Sequence, residues 1–184
     1  MSEPTPTTSA ARARRAIGAM FFFPFGGAWF ALWAHQASSH PVVLYLEIAV
    51  LTAALLGLAY WRYRAHAPAL AAQPETPEQR RASRIFQIVN AAQWVLILVV
   101  GNVLANLGLG AWVIPAVIII VGLHFLPLAR VFANPPHYVT GLALVAIGAG
   151  YPLLTPAGPA SPVGCLLTGV VLWLSAARAL AAKS

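Results

Sequence analysis

The chain has 184 residues, of which 60% are hydrophobic and only 8% are charged, and its formal net charge is +7. Roughly a quarter of the residues of a soluble domain are charged, so this composition excludes an ordinary soluble fold. It indicates an all-α membrane protein. Because the basic residues flank apolar runs, the expected partners are the lipid bilayer and its anionic headgroups, and not nucleic acid.

The N-terminal residues 1–11 are small and polar, with Pro and Thr, and predict a disordered tail. Three arginines then precede the first apolar run, as in a signal peptide: Arg12, Arg14 and Arg15. No small-residue cleavage pattern is followed by a soluble domain, so we expect a retained first span.

Six apolar runs follow along the chain, and each is long enough to cross a hydrocarbon core of ~30 Å. Lipid offers no partner for backbone N–H and C=O groups, so the spans must be helices. The sequence predicts a polytopic bundle that forms a single transmembrane domain over residues 12–184. Its spans are predicted at 17–34, 42–61, 85–107, 112–129, 138–154 and 163–180.

The loop at 62–84 is the only sizeable one in this topology. Within it, Thr76 is a candidate N-cap, Pro77 suits the first helical position and Glu78 suits the first turn. We therefore expect a short cytoplasmic helix that leads into the third span.

All eleven Lys and Arg residues lie on one side of this topology, and the loops around 35–41, 107–111 and 155–162 carry none. Positive charge is retained on the cytoplasmic side of a bilayer, so both termini are predicted to be cytoplasmic. The excess of Arg over Lys and the abundance of Ala are typical of bacterial chains encoded by GC-rich DNA. The predicted location is therefore the bacterial cytoplasmic (inner) membrane.

Glu47 is the only carboxylate inside a predicted span. Counting ~1.5 Å per residue from the outer end of the second span places it roughly 8–9 Å into the membrane. An ionised carboxylate in hydrocarbon costs at least ~2.5 kcal/mol, so Glu47 should face protein or water, or be protonated. Two interpretations remain open: a proton or cation site, and a neutral glutamic acid bonded to a neighbouring helix.

Five amides in the third span suggest two polar layers. The outer layer would join Glu47 to Asn102 and Asn106, and the inner layer would join His124 to Gln87, Asn90 and Gln93. A hydrated or ligand-lined surface is one explanation. The other is packing, because interhelical hydrogen bonds of ~0.6–2 kcal/mol also hold membrane helices together.

His124 lies three residues before Pro127, which removes a backbone donor and predicts a kink in the fourth span. Such a histidine suits a proton relay, or a structural role in which it caps the freed carbonyls. The segment from Gly122 to Gly141 resembles uncharacterised small bacterial multi-spanning membrane proteins that carry a G-x-H-F-L-P motif followed by an aromatic residue, here Tyr138. The resemblance implies a shared helical membrane fold and no mechanism.

Several glycines and aromatic residues have expected structural roles. Close helix approach is expected at three glycine pairs: Gly101 and Gly108, Gly141 and Gly148, and Gly164 and Gly169. Most of the Trp and Tyr residues, with Trp173 among them, are expected to be interfacial anchors near the span ends.

The sequence contains no enzymatic motif, so no catalytic activity and no cofactor are expected. Cys165 has no partner for an internal disulfide. His35 and His40 flank an outer loop without Cys or Asp nearby, so no metal site is expected either.

These features predict a small transporter or channel-like protein for a proton, ion or small solute that uses Glu47, His124 and the amides of the third span. The alternative is a non-catalytic structural or interaction membrane protein whose polar residues serve helix packing. The substrate does not follow from the sequence, and formation of a homo-oligomer is left open.

Overall fold

A computed structural model describes residues 6–182, and this part of the chain is helical with no strand, which confirms the predicted fold class. Six of its helices have the length and apolar composition needed to cross a bilayer. The chain is thus an integral multi-pass membrane protein. The helices are α1 (Pro6–Ala37), α2 (Val42–Ala71), α3 (Pro77–Asn106), α4 (Val113–Val131), α5 (Pro136–Leu154) and α6 (Val163–Ala181).

Two predicted boundaries differ from the structure. Helix α1 begins at Pro6, so residues 6–11 of the predicted disordered tail are helical, whereas residues 1–5 lie outside the described residues. Helices α2 and α3 also extend beyond their apolar runs, so only residues 72–76 of the predicted loop at 62–84 connect them. The extensions are rich in Ala and Arg, which favour helix without a strong hydrophobic signal.

The predicted start signal of α3 is confirmed as a capping box. The hydroxyl oxygen of Thr76 accepts a hydrogen bond of 3.2 Å from the backbone N–H of Gln79. In return, the backbone N–H of Thr76 donates to Oε1 of Gln79 at 3.1 Å. Pro77 occupies the first turn, where its missing N–H costs nothing. The helix that starts here is continuous with the third span and does not form a separate short helix.

The helices pack as two compact units. The first comprises the chain up to Glu75 together with the chain from Leu172 onward, and the second is Thr76–Val171. Helix α6 therefore contributes its first half to the second unit and its last turns to the first. A single bundle of all six spans stays a prediction.

The first unit has a small core around Phe23, which is buried with Ala19, Ala59 and Ala176. Trp173 packs edge-on against Phe30, with ring centroids 4.6 Å apart. Its indole N–H donates to the backbone oxygen of Phe23 at 2.9 Å. Trp173 is therefore a packing residue in the middle of α6, and the expectation that it anchors a span end was wrong.

The C-terminal end of α6 lies against α1 and α2 within the first unit. A guanidinium nitrogen of Arg15 donates to the backbone oxygen of Ala182 at 2.9 Å. Arg62 on α2 donates to the backbone oxygen of Leu180 at 3.3 Å. Helix C-termini leave carbonyls without intrahelical partners and carry partial negative charge, so arginines stabilise the end of α6. The N-terminal third of α1 and the end of α6 thus lie together.

In the second unit, α4 and α5 approach closely at glycines. A Cβ atom on Gly122 would lie 2.7 Å from the carbonyl oxygen of Gly141, and one on Gly148 would lie 2.9 Å from the carbonyl oxygen of Pro115. Only hydrogen fits at these positions, so the expectation of close approach at Gly141 and Gly148 is confirmed.

Other predicted glycine pairs differ in role. Gly108 has φ +74° and lies in the turn after α3, and a Cβ atom added to it would meet nothing within 4 Å. The expectation of close helix approach at Gly108 was therefore wrong, because the chain needs a left-handed residue to end the helix there. Gly101 makes only an ordinary contact, since a Cβ atom on it would lie 3.9 Å from Val113. Gly164 lies directly against the ring of Tyr151.

Candidate functional site

The most unusual polar atom in the second unit is Nδ1 of His124 on α4. It is buried and has no hydrogen-bond partner among the described residues. The imidazole forms a hydrogen bond with the backbone of Val89 on α3. Since Nδ1 is without a partner, this bond involves Nε2. A donating Nε2–H leaves Nδ1 as a bare acceptor, because a neutral imidazole has one donor and one acceptor.

This arrangement is energetically costly for a residue that serves packing alone. A buried acceptor without a donor costs about 1–3 kcal/mol relative to a satisfied one. Buried polar groups in proteins are nearly always paired, so an exception requires an explanation such as a bound water, an ion or a functional role. A neutral imidazole nitrogen in this state is able to accept a proton or a hydrogen bond from a ligand.

The turn between α4 and α5 brings a second histidine close to the first. The N–H of Asn134 donates to the backbone oxygen of Ala129 at 2.9 Å and closes the end of α4. Pro135 and Pro136 then begin α5, and this places His137 in the first turn of that helix. The ring of Phe125 lies 5.7 Å from the ring of His124 and 5.7 Å from that of His137, measured between centroids. The two imidazoles are close enough to interact electrostatically.

The side chain of Asn134 holds the second histidine in place. Its Nδ2 lies 3.1 Å from Nε2 of His137. An amide nitrogen is only a donor, so Nε2 of His137 accepts this bond. Sequence reasoning missed His137, because it lies one residue before the predicted start of the fifth span at 138. A helix that starts Pro-Pro-His beside the end of the helix carrying His124 was the available signal.

Three amides of α3 were expected to share a layer with His124. Gln87 is exposed, while Asn90 and Gln93 are half-buried. No hydrogen bond joins any of their side chains to His124 within residues 6–182; its contact on α3 is the backbone of Val89. The inner polar layer stays a prediction.

The outer polar layer also stays a prediction. Asn102 donates to the backbone oxygen of Leu98 at 2.7 Å, and Asn106 donates to that of Asn102 at 2.9 Å, so both amides bond back to their own helix. Glu47 is exposed on α2 in the first unit. Within the described part of the chain, no hydrogen bond or ion pair involves its carboxylate.

Pro127 lies in the last turns of α4, where a kink was expected. Its side chain is exposed, and α4 continues past it to Val131. The proline leaves the carbonyl of Leu123 without its usual helical donor. The kink itself stays a prediction.

The histidine at the C-terminal end of α1 bonds a tyrosine of α2. Nδ1 of His35 lies 3.2 Å from the hydroxyl of Tyr45, and His35 is exposed. Between residues 6 and 182, no three His, Cys, Asp or Glu side chains are grouped so that they could hold a metal ion.

No protein-family model, curated protein or solved structure matches this chain.

Proposed function

We propose that this integral membrane protein moves a proton, ion or small solute across the bacterial cytoplasmic membrane, with His124 as the group that binds it. The observation that carries this proposal is the buried Nδ1 atom of His124, which has no hydrogen-bond partner among the described residues. Ionisable residues inside a membrane are expensive to retain, and they mark ion pathways and proton relays more often than they serve packing.

The surroundings of His124 suit a transferable proton. Nδ1 of His124 and Nε2 of His137 are both acceptor nitrogens, so neither competes to donate. Both side chains lie against the ring of Phe125, which excludes water on that side. Histidine changes its charge nearer to physiological pH than any other side chain. A proton taken up by His124 therefore has a second titratable imidazole within electrostatic reach.

Glu47 and the amides of α3 belong to the same proposal as further polar groups along the transport route. Kinship with the bacterial proteins that carry the G-x-H-F-L-P motif is part of it too, and it rests on Gly122, His124 and Pro127 in this chain. Neither these polar groups nor the sequence resemblance is sufficient to support the proposal by itself.

The test uses the full chain purified into lipid vesicles that contain a pH-sensitive dye. His124→Gln retains an amide that can bond to Val89 but cannot be protonated. We expect it to reduce proton flux under an imposed potential by at least about tenfold. His40→Gln is the matched control, because His40 is exposed in the connection between α1 and α2. Flux in His124→Gln equal to that of the unaltered protein would refute the role of His124.

A structural role is the second candidate, and the contact between Gly122 and Gly141 favours it. The two helices are packed so closely there that α4 and α5 leave no passage between them at this level. In that case the unaltered protein would show no more flux than empty vesicles.

A further inference from the structure

The first unit contains a basic pocket that the transport proposal does not use. Its volume is ≈ 230 Å³, and it is lined by Arg12, Arg15, Arg62 and His66 and by the last residues of α6. No acidic residue is among the described residues that line it. Three fixed positive charges thus surround one small space.

Two of the arginines retain most of their donors for a ligand. Arg15 donates one bond, to Ala182, and Arg62 donates one bond, to Leu180. A guanidinium has five N–H donors, so each of these side chains has four that the described residues do not occupy. Guanidinium groups recognise phosphate oxygens through paired hydrogen bonds.

The position of the pocket indicates which kind of phosphate-containing ligand it binds. It lies where the start of α1, the C-terminal half of α2 and the end of α6 come together, at the end of the unit that the charge pattern predicts to be cytoplasmic. Basic pockets between membrane helices on this side bind the headgroups of anionic lipids. We propose that the basic pocket binds the phosphate group of an anionic phospholipid. The proposal is independent of any transport activity.

Binding is measured by native mass spectrometry of the full chain in neutral detergent, with cardiolipin or phosphatidylcholine added. The unaltered protein should retain cardiolipin in preference to phosphatidylcholine. The double variant Arg12→Gln and Arg62→Gln should bind cardiolipin roughly 10–30-fold more weakly, because each change removes the contribution of one basic residue to lipid binding. Arg80→Gln together with Arg81→Gln is the matched control. Both are exposed arginines predicted to lie on the same side, but outside the pocket, and this variant should bind within about threefold of the unaltered protein.

Equal losses in the two double variants would overturn the proposal, because they would show general attraction to a basic surface. If the pocket bound inorganic phosphate but not cardiolipin, its ligand would be free phosphate and not a lipid headgroup, and the proposal would be overturned. A photoactivatable anionic lipid tests the unaltered protein and does not depend on the folding of a variant. It should label residues 12–15, 62–66 and 179–182, whereas labelling confined to residues 80–84 would contradict the assignment.

Discussion

Ala133 is the one residue other than glycine with a positive φ in the described part of the chain, at 47°. It ends α4 in the left-handed conformation, and its N–H bonds the backbone oxygen of Arg130 at 3.3 Å. Glycine is the usual residue at this position, because a Cβ atom clashes with the backbone there. The strained residue, Ala133, thus lies in the turn that positions Asn134 and His137.

Ala133→Gly should therefore stabilise the protein. Relief of the left-handed strain contributes about 1–2 kcal/mol, and the greater freedom of glycine in the unfolded chain offsets about 0.4–1 kcal/mol. We expect a rise of about 0.5–1 kcal/mol in the free energy of unfolding, measured by denaturant titration in detergent. Ala72→Gly is the control: Ala72 has φ −74° and is exposed, so the same change should destabilise. A loss of stability in both variants would contradict the strain.

Glu47 is exposed on α2, so its substitution should leave folding intact. Glu47→Gln retains the shape of the side chain and removes its ionisation. Under the transport proposal, this variant should melt at the temperature of the unaltered protein and lose proton-coupled flux in vesicles. Normal flux would remove Glu47 from the mechanism.

Features that depend on local sequence could be predicted at single residues, and those that depend on distant contacts could not. The cap at Thr76 follows from neighbours within three residues, so its pattern is visible in the chain. The indole of Trp173 bonds a backbone oxygen 150 residues away, at Phe23. The proximity of His124 and His137 likewise depends on the left-handed turn at Ala133. Glycine usually marks such a turn in a sequence, and this position has alanine.

At the scale of the helices, the contact between α4 and α5 depends on glycines. Gly141→Ala would place a Cβ atom 2.7 Å from the carbonyl oxygen of Gly122. Backbone cannot move aside as a flexible side chain can, so we expect a loss of about 1–3 kcal/mol in the free energy of unfolding.

Gly57→Ala on α2 is the matched control for this change. Nothing lies within 4 Å of a Cβ atom at Gly57, and the residue is exposed in the interior of a helix. Alanine favours helix over glycine by about 0.5–1 kcal/mol, so this variant should be neutral or more stable. Equal effects of the two substitutions would show that the α4–α5 contact contributes nothing specific.

The six helices were predictable because an apolar run long enough to cross the bilayer has few other structures open to it. Their full lengths were not predictable from hydropathy. Helix α2 continues for ten residues beyond the predicted end of its apolar run at 61, to Ala71. That extension carries Arg62, Arg64 and His66, and the side chain of Arg62 bonds to the backbone of α6.

At the scale of the whole molecule, the distribution of positive charge is the feature on which the account depends. The sequence places every Lys and Arg on one side, and the structure joins Arg15 near the start of α1 to Ala182 after α6. We therefore expect both ends of the chain on one side of the membrane. The positive-inside rule predicts that this side is the cytoplasm.

Reporter fusions test this topology most directly. An alkaline phosphatase, active outside, and a fluorescent protein, active inside, are fused after residues 38, 70, 109, 158 and 184. The account predicts cytoplasmic readings at 70 and 184 and external readings at 38, 109 and 158. An external reading at 70 would reverse the orientation and remove the basic pocket from the cytoplasmic surface. Opposite readings at 70 and 184 would contradict the even number of spans predicted between them.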